Sequence, residues 1–229
     1  FQAALPTSTQ TDQSSIIASA LETAFDKVDN EVGSISHWSF TGSTAVAVMI
    51  HELNDATRSI VTANVGDSRA VLSRNRIAID LTKDHKPNDS VERERIEGLG
   101  GTVDWCGEVD SRGFPKENTG VYRINGNLAL SRAIGDRSER PWVTNDVDIK
   151  HYLIDEGEDS FVILATDGLW DVMTSQEVIM FIHEMMDSTP PVHRHELQRS
   201  IAKYVVDEAL LRGSSDNITV LVLWINEEN

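Results

Sequence analysis

The chain has 229 residues, of which 40% are hydrophobic and 25% charged. This size and composition favour one compact domain with a sizeable core and exclude collagen-like, repetitive and linker-rich proteins. The formal net charge of −17 repels nucleic acid and anionic membrane surfaces, so neither is expected as a partner.

The cysteine content limits the chemistry further. Cys106 is the only cysteine, which excludes an intramolecular disulfide and a zinc site built from cysteines. A reducing compartment, the cytoplasm or the nucleus, is therefore expected. The longest apolar runs, such as residues 218–225, fall short of the roughly 18–20 residues needed to cross a bilayer, and no membrane span is predicted.

The first third of the chain predicts a helix followed by strands. Residues 14–32 predict an amphipathic helix, because apolar residues recur at spacings of three and four. The apolar face consists of Ile17, Ala20, Leu21, Ala24, Phe25 and Val28. A β-branched apolar run predicts a strand over residues 44–50, followed by a turn at Asn54-Asp55. A hairpin with a polar tip is predicted next, because the apolar residues 59–65 and 70–72 flank Gly66-Asp67-Ser68-Arg69.

The middle of the chain is less regular. Residues 76–81 predict a short strand, and Asp89 with Glu92 three residues later predicts a capping box for a helix that ends at Gly100-Gly101. Residues 102–127 have little periodicity, and we expect an irregular excursion there, of the kind that often carries function.

The last third alternates strands and helices. Residues 161–165 predict a buried strand that runs into Asp167 and Asp171. Thr174 and Glu177 form a second capping box, which opens a helix expected to bury Val178, Phe181, Ile182 and Met185 or Met186. A last helix at about 195–212 follows, with Leu197, Ile201, Val205 and Leu211 inward and Gly213 as its stop. The turn that contains Asp216 then leads into a strand over residues 218–225.

Hairpins mixed with helices that are not arranged as strict βαβ crossovers predict an α+β layered sandwich of antiparallel sheets. Asp67, Asp167, Asp171 and Asp216 all lie at ends of apolar strands. Because strand ends can meet at one edge of a sheet, these oxygen ligands predict a site for Mg²⁺ or Mn²⁺, and a divalent cation would compensate a carboxylate at a buried strand end.

Other interpretations of these motifs are less favoured. Asp is a common turn former, and for Asp67 alone that explanation is preferred. Cys106 and Arg112 have the C-x5-R spacing of cysteine-dependent phosphatases, but Glu108 and Asp110 between them would repel both a thiolate and a phosphate. We interpret this match as coincidence.

Seven segments follow one another along the chain: TGSTAVAV (41–48), NVGDSRAVL (64–72), LTKDHKP (81–87), ERIEGLGGTV (94–103), NLALSRAIGD (127–136), ILATDGLWDVM (163–173) and GSSDNITVLV (213–222). In this order they resemble the metal-dependent protein serine/threonine phosphatase 2C (PPM) family. The resemblance covers about residues 15–226 as a single domain, with residues 1–14 expected to be poorly ordered or a linker. It implies a four-layer α-β-β-α sandwich of two antiparallel sheets.

The resemblance also implies a site with two Mg²⁺ or Mn²⁺ ions, and possibly a third. By correspondence, Asp167 and Asp216 are metal ligands, and Asp67 and Asp171 are candidates for the third-metal site. The excursion before residue 127 corresponds to the family's variable flap, which Arg132 and Asp136 border. The implied function is direct hydrolysis of phosphoserine and phosphothreonine in phosphorylated proteins by a monomeric enzyme that uses metal-bound water.

The upstream family segments have no counterpart in residues 1–229. These segments supply an Asp that bridges the metals, an Arg that binds the phosphate and a His that acts as general acid, and we expect them to lie upstream of residue 1. Weak metal binding and little activity are therefore expected of this chain alone. Two alternatives are a phosphatase-like binding or regulatory module and, less favoured, a Ca²⁺-responsive structural domain.

Overall fold

The structure is a computed structural model that describes residues 8–53, 57–116 and 119–225. Its elements, numbered in chain order, are α1 Ser8–Gly33, β1 Gly42–Ser43, β2 Ala45–Glu52, β3 Arg58–Val65, β4 Arg69–Arg74, β5 Ile77–Asp80, α2 Ser90–Gly98, β6 Val103–Cys106, β7 Val121–Ile124, β8 Ile134–Gly135, β9 Asp148–Leu153, β10 Asp159–Ala165, α3 Asp167–Trp170, α4 Ser175–Ser188, α5 Pro191–Leu211 and β11 Val220–Trp224. Asn54 and Asp55, where a turn is predicted, lie outside the described residues.

Two antiparallel sheets form the centre of the molecule. One has the strand order β11-β10-β4-β5 and the other β2-β3-β9. Within β10, Ile163 lies opposite Val222 of β11 and Val71 of β4. In the second sheet, Ala63 lies opposite Ala47 and Ile149.

Alternating side chains of the first sheet face two different cores. Val162 of β10 and Leu72 of β4 pack toward Ile60 of the second sheet, whereas Phe161 and Ile163 pack on the other side, in the cluster that includes α4 and α5. Helix α1 contacts β3 of the second sheet. The expected α-β-β-α sandwich is confirmed.

The hairpin predicted for residues 59–72 is wrong. Strands β3 and β4 belong to different sheets, and the chain passes from one to the other through residues 66–68. Both strands are buried along almost their whole length, so their apolar pattern does not indicate which strand each one pairs with. Gly66, with a φ of +102°, redirects the chain at the crossing.

Residues 102–127 are more regular than the sequence suggested. Strands β6 and β7 form a two-stranded antiparallel hairpin in which Trp105 lies opposite Tyr122. Each strand has only four residues, too few for a clear two-residue alternation. We call this β6–β7 hairpin and its connecting residues the flap.

The helices agree with prediction except at their ends and faces. Helix α1 includes residues 8–14, and residues 1–7 lie outside the described part. Of its predicted apolar face, Ala20, Ala24 and Val28 are exposed, and Asp29 is buried instead. Helix α5 begins at Pro191, since Pro is well tolerated in a first helical turn. Leu211, predicted to point inward, is 83% exposed, and Ala209 is buried.

The capping predictions differ in outcome. The box of Thr174 and Glu177 is present with both of its hydrogen bonds. Asp89 caps α2 by accepting from the Val91 amide, but Glu92 turns away to bind Arg132 and Arg95. Within the described residues, the helices include none that is both long and apolar enough to cross a membrane.

Candidate active site

The turn between the two sheets holds a buried carboxylate. Asp67 is 5% exposed and follows Gly66, where a Cβ atom would come within 2.4 Å of the Thr44 Cγ2 atom. The hydroxyls of Thr44 and Ser68 are 2.8 Å apart and share a hydrogen bond. The crossing therefore has little room to move, and Asp67 is held at one end of the sandwich.

His85 fixes the same turn from the other side. Its Nδ1 accepts a hydrogen bond from the Gly66 amide at 3.0 Å, and its own amide donates to the Gly66 carbonyl. Its Nε2 lies 3.3 Å from the Asp148 carboxylate, and this contact lowers the pKa of Asp148 to about 2. His85, 2% exposed, is therefore a positioning residue for the turn that carries Asp67.

Lys86 supplies the positive charge at this end of the sandwich. Its Nζ lies 2.5 Å from the Asp67 Oδ2. Burial acts to lower the pKa of Lys86, but the negative charges of Asp67, Asp171 and Asp167 outweigh it, and the pKa is raised. The sequence alone predicts no role for Lys86, because only the fold places this residue of the LTKDHKP segment beside Asp67.

Asp167 and Asp171 lie at the two ends of the short helix α3, after β10. Burial and the charge of Asp67 raise the pKa of Asp167, with Asp171 and Asp216 adding to the effect and Lys86 opposing it. Asp171 is an exposed residue, but desolvation of its carboxyl still raises its pKa, again with repulsion from Asp67 and Asp216. The four aspartates thus repel one another, and Lys86 compensates them only in part.

Asp216 reaches this group from the last turn. Thr166 connects that turn to the end of β10, since its hydroxyl donates to the Asn217 carbonyl and accepts from the Thr219 amide at 3.0 Å. Asp216 itself is exposed and accepts from the Asn217 amide at 2.6 Å. The charges of Asp67, Asp171 and Asp216 each raise the pKa of Asp167, so the four carboxylates interact electrostatically.

Gly168 allows the two acidic segments to approach. A Cβ atom at this position would lie 2.5 Å from the Asn217 carbonyl oxygen. The absence of a side chain at Gly168 therefore allows the backbone of Asn217 to come close. Trp170 packs in the core cluster beside α4 and α5, and its indole N–H donates to the Ala165 carbonyl at 2.9 Å.

Substituting Gly168 with alanine is expected to destabilise the protein by about 1–3 kcal/mol, because the methyl group must push the 216–218 backbone away. Gly98 is the matched control, since its Cβ position has no neighbour within 4 Å. Gly98→Ala in α2 should be neutral or stabilise by up to about 1 kcal/mol. Urea unfolding of both variants measures the difference, and equal midpoints would contradict the proposed close approach.

The donor chemistry of this cluster suits a hard divalent cation, and the raised pKa values of Asp167 and Asp171 show repulsion that a cation would relieve. The described residues do not, however, contain a group of three or more His, Cys, Asp or Glu side chains arranged to hold a metal ion. Asp67 is already paired with Lys86. These residues therefore fit part of a metal site, and the assignment of Asp167, Asp216, Asp67 and Asp171 as ligands stays a prediction.

Arg132 and Asp136, the two residues predicted to border the flap, lie in different surroundings. Arg132 binds Glu92 at 2.6 Å and the Asp148 carboxylate at 3.4 Å, so it closes a buried ionic network. Asp136 has a left-handed φ of +45° and is 8% exposed, and burial raises its pKa. Arg132 donates its hydrogen bonds to Glu92, Asp148 and the Asp146 carbonyl, and a role for either residue in substrate binding stays a prediction.

Glu92 makes this network sensitive to acid. Burial would raise its pKa, but hydrogen bonds from Arg132 and Arg95 outweigh it and lower the pKa to about 2 from 4.5. Because the pKa of Glu92 is lowered in the folded state, its ionised form stabilises the protein above pH 4.5. This stabilisation is lost as the pH falls toward 2. The full shift corresponds to about 3 kcal/mol.

Glu92→Gln is therefore expected to reduce the loss of stability between about pH 4.5 and pH 2 by the part that Glu92 contributes, whereas Asp148, whose pKa is also lowered to about 2, continues to contribute. Thermal unfolding measured across this range tests the expectation. Glu97→Gln on the exposed side of the same helix is the control and should retain the parent profile. An unchanged profile for Glu92→Gln would contradict the role of this network.

The C-x5-R match is not a phosphate cradle. Cys106 is exposed at the end of β6, and Arg112 binds Asp110 within the same loop. The interpretation of this spacing as coincidence is consistent with the geometry.

Comparison with known proteins agrees with the architecture. The sequence model of the family "Protein phosphatase 2C" matches residues 4–218. "Probable protein phosphatase 2C 59" of Oryza sativa subsp. japonica is 38% identical over 92% of this chain and 57% of its own length. "Probable protein phosphatase 2C 69" of Arabidopsis thaliana is 39% identical over 92% of this chain and 52% of its own length.

Solved structures show the same fold. A "C.elegans sex determining protein" superposes with a TM-score of 0.73 at 25% identity, covering 90% of this chain and 46% of the other. A "serine-threonine phosphatase 2C from Toxoplasma gondii" gives a TM-score of 0.71 at 23% identity, covering 97% of this chain and 72% of the other.

The two-sheet sandwich is the fold that this chain shares with these solved structures. The chain is a member of the protein phosphatase 2C family. It spans a little over half the length of the two plant relatives. These relatives are described as phosphatases, which gives the alternative of a non-catalytic binding module no support.

Proposed function

We propose that this chain forms most of a protein serine/threonine phosphatase that hydrolyses phosphoserine and phosphothreonine directly and depends on Mg²⁺ or Mn²⁺. The observation that supports the proposal is the mutual repulsion of Asp67, Asp167, Asp171 and Asp216, which Lys86 compensates only in part through its ion pair with Asp67, in a chain whose family is generally dependent on these metals. Phosphorylated proteins are the proposed substrates. A monomeric state and a location in the cytoplasm or nucleus are part of the same proposal.

The charge balance explains why a cation is needed. A phosphate group that approaches this end of the sandwich meets four carboxylates and one ammonium group, so the local field repels it. Asp167 and Asp216 would hold a divalent cation, and Asp67 and Asp171 would contribute to a further one. When bound, the cations would offset the charge of the phosphoryl oxygens and promote attack by water.

The protein's own residues hold this arrangement in place. His85 and Thr44 fix the turn of Asp67, and Thr166 fixes the turn of Asp216. Lys86 holds the Asp67 carboxylate in one orientation through its short ion pair. Such fixed positions are what a site needs when charge must be stabilised without reorganisation.

Phosphate release from a phosphothreonine peptide tests the proposal. The chain is incubated with Mn²⁺, with Mg²⁺ and with EDTA. Release that requires either metal supports the proposal. Equal rates with EDTA, or no release under any condition, would count against a metal-dependent phosphatase activity of this chain.

A further inference from the structure

A cavity of about 530 Å³ connects the acidic site to the flap. Lys86 and Asp171 line it on the side of the site, and Trp105, Val121 and Tyr122 line it on the side of the flap. Its volume lies in the range of pockets that accept small ligands, roughly 300–1,000 Å³. The cavity is therefore larger than a gap between packed elements.

The flap side of this cavity is a pre-formed aromatic wall. The rings of Trp105 and Tyr122 meet edge to face, with centroids 5.2 Å apart, and the Arg93 guanidinium lies 5.4 Å from the Tyr122 ring. The Trp105 indole N–H already donates to the Glu108 carbonyl at 2.8 Å. Because this donor is satisfied within the flap, Trp105 offers the cavity an apolar surface.

The charges of the cavity are confined to one end. Among the described residues that line it, Lys86 and Asp171 alone are charged, and Pro115 adds to the apolar wall opposite them. A phosphorylated side chain directed at Lys86 and Asp171 would place its neighbouring residue against Trp105 and Tyr122. An apolar neighbour would bury surface there, whereas a charged neighbour would lose water without gaining a partner.

We propose that the flap wall formed by Trp105, Tyr122, Val121 and Pro115 is a specificity subsite for an apolar side chain next to the phosphorylated residue of the substrate. The inference rests on the proposed function and adds the substrate class: phosphopeptides with an aliphatic residue directly before or after the phosphothreonine. In hydrophobic pockets, the presence or absence of a small apolar group on the substrate changes kcat/KM by about 10-fold or more.

The test uses five-residue phosphothreonine peptides that differ at one position. The phosphothreonine is flanked by glycines, or by a leucine or a lysine directly before or directly after it. Equilibrium binding by calorimetry and phosphate release are both measured with Mn²⁺ present. The proteins are the parent chain, Trp105→Ala and Phe114→Ala. Phe114 is the matched control, because it is an exposed aromatic residue of the same flap that does not line the cavity.

The parent is expected to bind one of the leucine peptides at least about fivefold more tightly than the glycine peptide. Trp105→Ala should bring this ratio close to one, and Phe114→Ala should retain it. A ratio near one in the parent, a ratio unchanged in Trp105→Ala, or a preference for the lysine peptides would overturn the inference. Phosphate release at equal rates from all peptides would contradict the proposed subsite but not the proposed phosphatase activity. A binding preference among the peptides without phosphate release would contradict the phosphatase activity but not the subsite.

Discussion

Replacing Asp167 with asparagine should lower metal-dependent phosphate release by about 100-fold or more, the range expected when a group that holds a catalytic cation is lost. Asp216→Asn should have a similar effect. Both substitutions preserve the shape of the side chain and remove its negative charge. Asp207→Asn is the control, because this residue is paired with Lys203 on the surface of α5 and should leave the rate unchanged.

The same Asp167 substitution should not destabilise the chain when metal is absent. Burial and the charge of Asp67 raise the pKa of Asp167, so ionised Asp167 costs more free energy in the folded state than in the unfolded chain. A neutral side chain relieves that repulsion, and Asp167→Asn is expected to unfold at the same or a higher urea concentration. Lost activity together with lower stability would indicate general misfolding and would contradict the assigned role.

Replacing Lys86 with glutamine is expected to destabilise the metal-free chain by about 2–3 kcal/mol, because it leaves the buried Asp67 carboxylate without a partner among its acidic neighbours. The side chain of Asp67 is 7% exposed and that of Lys86 33%, so the effect is smaller than for a fully buried pair. Lys203→Gln is the control, since its ion pair with Asp207 is exposed and should be worth less than about 1 kcal/mol.

Divalent cations should compensate for the loss of Lys86. The ammonium group and a cation compete for the same carboxylates, so Lys86→Gln should bind Mn²⁺ several-fold more tightly than the parent. Saturating Mn²⁺ should then restore part of the lost stability. Urea unfolding with and without Mn²⁺ measures both effects, and a variant that Mn²⁺ does not stabilise would show that Lys86 and the cation do not share ligands.

Local signals in the sequence predicted much of the fold. The capping box at Thr174 and Glu177 marked the start of α4, and the apolar run before Asp167 marked β10. These features depend on neighbouring residues, so they are readable without knowledge of the tertiary structure. The motifs of the family gave the sandwich itself and the acidic turns.

The remaining features depend on contacts between distant residues. The pairing partners of β3 and β4 could not be predicted, because both strands are buried and their pattern does not distinguish one sheet from the other. The same holds for Asp29, whose burial in α1 depends on its ion pair with Arg140 at 2.9 Å. Lys86 gains its importance only where the fold places it 2.5 Å from Asp67.

The most direct test of a shared cation site is titration of the chain with Mn²⁺, followed by the electron paramagnetic resonance of the free ion. The parent should bind Mn²⁺, and Asp167→Asn and Asp216→Asn, which alter separate segments, should each weaken binding at least about tenfold, with Asp207→Asn unchanged. Binding that is the same in the parent and in either of the first two variants would contradict the account.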